Sequence, residues 1–444
     1  NLNKKSFSLN KFSKITTSPL LHSNQDYIKS YNNYKNIREQ ISANNQNGKF
    51  SKNEQLYLAQ DSLEREMSKM NSKNQLPQLR NDWTSVKNKL LKDEAAILFE
   101  TFRKPSLNGI LHKDSLQYIA FIIRGDSSRP KVISLGFDEE ILKSAQNSSN
   151  FNESDALYSK SNYTLYELIW KKIEPYLNGI KNIFICPAGR LNSIAFSAIT
   201  LPNNERVIDK YQISNVKNLK AIKTYVRLEE KNLKVTLFGG IDFENSTSKV
   251  LMQQNKNTSN EISYAYLRSA YKSKWPYLPN TKSEVYEINS ILTKTDIKTS
   301  LFTSNFATEE EFKNTTDAKI IHIATHGYYS TLTNYNFDSA SNNTYIISKD
   351  PLTRSGLIFA GGNKAWQDVK TNLSNDDGIV TAREISTLDL SNCTLAVLSA
   401  CETALGDNQI DDDIAGLQRA FKMAGVKFII ASLWKVPDSE TSEF

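Results

Sequence analysis

The chain has 444 residues, and 55 Lys+Arg against 48 Asp+Glu give a formal charge of +7. That length suits about two or three domains, and 39% apolar with 23% charged residues describes a globular protein with no collagen-like or disulfide-scaffold composition. No apolar run approaches the ~20 residues of a membrane-spanning helix, and a mild charge of scattered sign lacks the clustered basic face that nucleic acid requires. The three cysteines, Cys186, Cys393 and Cys401, have no zinc spacing and an odd count, so a reducing, cytoplasmic setting is expected. The chain starts at Asn1 rather than Met and stops at Phe444 just past an apolar run, as an excerpt of a longer protein does.

Residues 1–92 form a first region, with a single glycine, Gly48, and prolines only at Pro19 and Pro77. Tyr27, Tyr31, Tyr34 and Ile37 recur at helical spacing, as do Leu56, Ala59, Leu63, Glu66, Met67 and Met70. Val86, Leu90 and Leu91 suggest a further helix. The 34-residue tetratricopeptide pattern is not visible, which leaves amphipathic helices or a degenerate last repeat of such an array.

From residue 93 the pattern changes to strand–helix alternation. Strands are expected at 116–124, 131–135, 182–186, 234–238, 319–324, 394–399 and 427–432, each a short apolar or β-branched run. Helices are expected at 163–176, 217–228, 282–292, 309–313 and 414–423, which predicts an α/β fold with a mainly parallel, helix-covered sheet. Polar stretches at 244–260 and 330–343 read as surface loops. The first separates an N-terminal half, 93–262, from a C-terminal half, 263–444.

In open α/β sheets, chemistry collects at the carboxyl ends of strands. One apolar run ends in Ile323-Ala324-Thr325-His326-Gly327, and another delivers Leu398-Ser399-Ala400-Cys401-Glu402-Thr403. A thiol and an imidazole on neighbouring strand ends meet the needs of nucleophilic catalysis, since histidine raises the thiolate fraction and can protonate a leaving amine. The backbone N–H groups of Gly327 and Cys401 could receive an oxyanion. Cys401 lies past the apolar run beside Glu402, which leaves a nucleophile and a small buried hydrophobe both open. Cys186 and Cys393 read as buried hydrophobes, and His322, inside its strand, as a satisfied core histidine. His22 and His112 carry no signal, and Asp411-Asp412-Asp413 reads as a solvated helix start rather than a calcium loop. Gly239-Gly240 and Gly361-Gly362 lack phosphate-loop spacing, which leaves a nucleotide site weakly supported.

The two strand-end motifs resemble the paired signatures of the CHAT family, caspase-like cysteine peptidases related to separase. Pro351-Leu352-Thr353-Arg354-Ser355-Gly356-Leu357, Asp377-Gly378-Ile379-Val380-Thr381-Ala382 with Glu384-Ile385, Gly416-Leu417-Gln418-Arg419-Ala420-Phe421 and Ser432-Leu433-Trp434-Lys435-Val436 resemble further family segments. So do Asp93-Glu94-Ala95-Ala96 and residues 185–192, so the likeness runs from about residue 93 to 444. It implies a caspase-like fold with a catalytically silent N-terminal half and a Cys401–His326 dyad in the C-terminal half. It also implies a protein substrate, no metal or cofactor, and a link to a tetratricopeptide array or other bacterial regulatory partner. The acidic turn before the post-cysteine helix, Ile410-Asp411-Asp412-Asp413-Ile414, departs from the family's glycine-containing form, and the caspase Gln-Ala-Cys signature is absent, so no preference for Asp is implied. Carboxylates at Asp376, Asp377, Glu402 and Asp407 read either as acids that face water or cap a helix or, in the caspase-like arrangement the resemblance implies, as a pocket that grips a basic residue before the cut. The competing reading is a non-catalytic scaffold that keeps the fold for protein binding.

Overall fold

The computed structural model describes residues 23–46, parts of 55–70, 83–103, 116–137, 156–216 with 218, 219 and 222, 233–247, 274–329 except 296, 352–367, 376–400 and 416–433. Helix α1 (Gln25–Gln46) carries the expected tyrosine stripe. Tyr27 and Tyr34 are buried with Met67 and with Met423 from far along the chain, and Tyr31, Leu63 and Met70 pack against them. Helix α2 (Trp83–Lys87) is shorter than expected. It buries Val86, and Leu90 follows it inside, but Leu91 is 56% exposed because the chain has already turned toward the first strand.

Five strands form the first sheet: β1 (Glu94–Arg103), β2 (Leu116–Arg124), β3 (Lys131–Phe137), β4 (Asn182–Cys186) and β5 (Gln212–Asn215), in the order β3-β2-β1-β4-β5. Its halves differ in sense. β1, β2 and β3 pair antiparallel, whereas β1, β4 and β5 pair parallel, so this half of the molecule is mixed rather than mainly parallel. The short turn between β2 and β3 permits only an antiparallel return, while the long crossover into β4 permits a parallel one. That crossover includes three consecutive turns of different pitch, Tyr166–Trp170, Lys171–Ile173 and Glu174–Tyr176. Alternation along β1 fills both faces. Ala95, Ile97 and Phe99 meet Ile169, Trp170 and Phe196. Ala96 and Leu98 meet Val86, Leu90 and Cys186. Gly125 lets the β2 end tuck under the α2–β1 turn, since a Cβ there would lie 2.0 Å from the Leu91 carbonyl oxygen.

The second sheet holds β6 (Lys234–Ile241), β7 (Lys298–Ser304), β8 (Ile320–Ala324), β12 (Leu395–Ser399) and β13 (Phe428–Ala431) in the order β13-β12-β8-β6-β7. Every pair is parallel, as expected from the buried apolar runs. Val235 and Leu237 face helix α3 (Pro279–Leu292) through Val285, Ile288 and Leu292. Phe238, Ile321, Ile323, Ala396 and Leu398 face the opposite way, onto Phe312 of α4 (Glu309–Lys313) and Leu417, Ala420 and Phe421 of α7 (Leu417–Met423). The Gly239-Gly240 pair serves this packing: a Cβ on Gly239 would sit 2.6 Å from the Thr281 carbonyl oxygen of α3. A third, antiparallel sheet continues directly from β8, with β9 (Gly327–Tyr329), β10 (Ser355–Ile358) and β11 (Ile379–Thr381) in the order β11-β10-β9. Helix α5 (Gly362–Gln367) follows β10, and α6 (Ala382–Ile385) follows β11 with a Thr381–Glu384 capping box.

Among the described residues no helix is long and apolar enough to cross a membrane. Most of the expected helix at 217–228, the loop at 330–343 and most of the loop at 244–260 lie outside the described residues.

Candidate active site

The chain leaves β6 toward β7 on one side and returns to β8 on the other, so the order reverses between β6 and β8. The carboxyl ends of those strands form the switch point where α/β sheets bind ligands, and His326 stands there. Its backbone is fixed at the junction of two sheets. Thr325 N–H donates to Ser399 O at 3.2 Å, and Ile358 N–H donates to His326 O at 3.0 Å.

The half-buried ring of His326 has defined surroundings. Nε2 lies 2.7 Å from the Pro276 carbonyl oxygen. A carbonyl only accepts, so Nε2 carries the proton, and in the neutral ring the lone pair sits on Nδ1. Trp275 and Phe243 flank the imidazole at centroid distances of 5.0 and 5.1 Å.

Beside β8, strand β12 runs parallel with Ser399 opposite Ala324. Ala400, the residue before Cys401, is held by a 2.7 Å bond from Ser432 Oγ to its carbonyl oxygen. Cys401 itself, with Glu402, Asp407 and Asp411-Asp412-Asp413, lies outside the described residues. Gly327 opens β9 and is buried, paired with Leu357.

His322 is 8% exposed and holds Glu284 Oε1 at 2.7 Å, while Ser399 Oγ donates to Glu284 Oε2 at 3.1 Å. Its ring is thus tied into the sheet by the carboxylate of α3. Asp376 and Asp377 stand at the His326 end of the three-stranded sheet, just before β11. Both have internal partners. Asp376 pairs with Lys313 Nζ at 3.2 Å, and Asp377, 4% exposed, accepts from Ile379 N–H at 3.0 Å. Lys313 also meets Glu309 at 2.6 Å and Glu384 at 3.3 Å, so one cation serves three carboxylates. Burial, with Glu384 and Asp377 nearby, holds the Glu309 carboxyl well above the usual range despite the opposing pull of Lys313.

The sequence singles out His326 but not what holds it. Pro276 acts through a carbonyl, which has no side-chain signature, and Trp275 and Phe243 come from polar surroundings. Glu284 did leave a signal, as a lone acid on the apolar stripe of α3 between Thr281 and Val285.

Cys186 and Cys393 are each 1% exposed, and burial pushes the Cys393 thiol up to about 11. Both are expected to resist alkylation at neutral pH until the protein is unfolded, and mass mapping of iodoacetamide adducts before and after denaturation checks this.

The comparison with curated proteins returns no match. The family model described as "CHAT domain" matches residues 160–444, more than half of the 444. The match begins later than the residue 93 expected from sequence, although β1 of the unmatched part shares a sheet with β4 of the matched part. The strands, the histidine-bearing end of β8 and this match together establish that the chain belongs to the CHAT domain family, a family of caspase-like cysteine peptidases.

Proposed function

We propose that the protein is a cysteine endopeptidase working through Cys401 and His326. The observation that carries this reading is the anchored His326 just past the end of β8, beside β12, which Ala400 follows as the described residue immediately before Cys401. Cys401 Sγ attacks the scissile carbonyl carbon and its proton passes to Nδ1 of His326. The N–H groups of Gly327 and Cys401 receive the oxyanion, and the imidazolium then protonates the leaving amine. Water, deprotonated by His326, hydrolyses the thioester. The chain's own residues carry every step.

The division into a helical segment, 1–92, a silent half, 93–262, and a catalytic half, 263–444, belongs to this reading. So does regulation through the N-terminal helices in a bacterial effector acting in the cytoplasm. Support for the regulation comes from Tyr27, Tyr34 and Met67 sharing a buried cluster with Met423, in the helix that follows the nucleophile loop.

An electrophilic peptidyl-ketone probe tests the reading. Labelling is expected on the wild type and not on Cys401→Ala, while absence of labelling in both would favour the scaffold alternative. Substrate preference is a finer part of the proposal. A basic residue before the cut would meet carboxylates among Glu402, Asp407 and the Asp376–Asp377 turn. Peptide-library profiling is expected to show Arg or Lys at that position; efficient cleavage after apolar residues, unchanged in Asp377→Asn, would remove this element.

A further inference from the structure

We propose that Asn363 is a positioning residue that clamps the strap holding His326, an inference that rests on the peptidase reading and extends it to how the histidine is aimed. The strap is residues 274–277. Pro276 and Tyr277 are exposed, and among the described residues no backbone group of a strand or helix hydrogen-bonds to the strap's backbone. Yet this segment supplies the Pro276 carbonyl that receives the His326 ring proton.

Asn363 takes the place of a neighbouring strand. Its Oδ1 accepts from Trp275 N–H at 2.7 Å, and its Nδ2 donates to Trp275 O at 3.1 Å, so one side-chain amide pairs both backbone groups of Trp275. The second Nδ2 proton goes to Glu244 Oε1 at 3.0 Å, which uses the full donor capacity of the amide and fixes which atom is oxygen. Glu244 in turn holds Lys274, the first residue of the strap, at 3.1 Å. Meanwhile the Asn363 backbone N–H donates to Phe243 O at 2.9 Å. Trp275 and Phe243 are the two rings that flank His326, so Asn363 pins the backbone of both.

The clamp has a rigid base. Asn363 is 1% exposed and sits at the start of α5, where Gly362 packs so closely that an added Cβ would lie 2.5 Å from the Gly378 carbonyl oxygen. Trp366, one turn on, stacks edge-on against Trp275 at 4.9 Å. Helix α5 therefore holds the strap through its backbone and through its indole.

The test follows the His326 ring proton by NMR in the full chain with ¹⁵N-labelled histidine, assigned by its loss in His326→Ala. In the wild type the Nε2–H is expected as a sharp, slowly exchanging resonance. In Asn363→Ala its exchange with solvent is expected to quicken about tenfold or more, the equivalent of one lost hydrogen bond. Peptide turnover is expected to fall in kcat by about 10- to 100-fold with KM little changed, as for a misaimed catalytic group. The His322 ring proton, bonded to Glu284 on the far side of the sheet, serves as the internal check on folding. Should Asn363→Ala lose that signal, the near-isosteric Asn363→Asp decides, since its carboxylate would face the Trp275 carbonyl and Glu244 with no proton to give. A folded variant whose His326 proton keeps its wild-type exchange rate, or which loses that protection at unchanged kcat, overturns the clamp. Absence of turnover in the wild type would strike the peptidase reading instead, while the ring-proton comparison still decides whether Asn363 holds the strap.

Discussion

Alanine in place of His326 is expected to lower kcat/KM toward a peptide substrate by about 10²–10⁴-fold, the contribution of a positioned proton carrier. Cys401→Ala is expected to abolish turnover altogether. The contrast with His322 makes the experiment specific, because both histidines belong to one strand and its tip. His322→Ala removes the partner of a carboxylate, Glu284, that is 8% exposed, and leaves it bonded to Ser399. The expected cost is about 1–3 kcal/mol of folding stability, read from the denaturant midpoint, with turnover per folded molecule close to wild type. A loss of turnover in His322→Ala equal to that in His326→Ala would show that the wrong histidine had been assigned.

Lys313→Met is expected to be the most damaging single change away from the proposed dyad. It strips the cation from Glu309, Asp376 and Glu384, whose side chains are 2%, 23% and 15% exposed. Breaking a buried pair from one side costs about 3–5 kcal/mol. The pH dependence has a definite sign. In the wild type Lys313 is held above the ordinary lysine range by its carboxylates, so its contribution is complete below a pH of about 10.4 and is lost only as pH rises through the folded value. Glu309 is raised as well, by burial. Its protonated form therefore adds stability that is complete below about 4.3 and declines as pH rises toward its folded value. In Lys313→Met the buried Glu309 carboxyl loses the cation that opposes its rise, and the deficit should be largest at neutral pH and shrink on acidification. Thermal unfolding of both proteins between pH 4 and 8 checks this; a deficit that grows with acid would contradict it.

Most strands of the two larger sheets were legible because each is a short apolar or β-branched run. Residues 116–124 and 182–186 were located to the residue, and 234–238, 319–324, 394–399 and 427–432 to within three. β1 was missed as a strand because Glu94, Ala95, Ala96 and Glu100 are helix formers, and it is the pairing with β2 and β4 that overrides them. β7 was missed because an edge strand such as Lys298–Ser304 needs no continuous apolar run. β9, β10 and β11 are too short to leave a period. For the site, a histidine at the end of an apolar run is a visible signal, whereas the Pro276 carbonyl lies 50 residues away and carries none. The pairing of Asp376 with Lys313 leaves no local signal either, since Lys313 lies 63 residues earlier.

The order in which the strands are made bears on how the protein is synthesised. β6, β7 and β8 precede β12 in the chain and pair without it, so His326 and its strap can be in place while the strand that leads to Cys401 is still emerging. During that interval one edge of β8 stays open, with the buried residues Ile321 and Ile323 awaiting the partners Ala396 and Leu398. A nascent chain at this stage holds His326 and its strap but not yet Cys401. It does present an unpaired parallel edge, the kind of surface that chaperones cover.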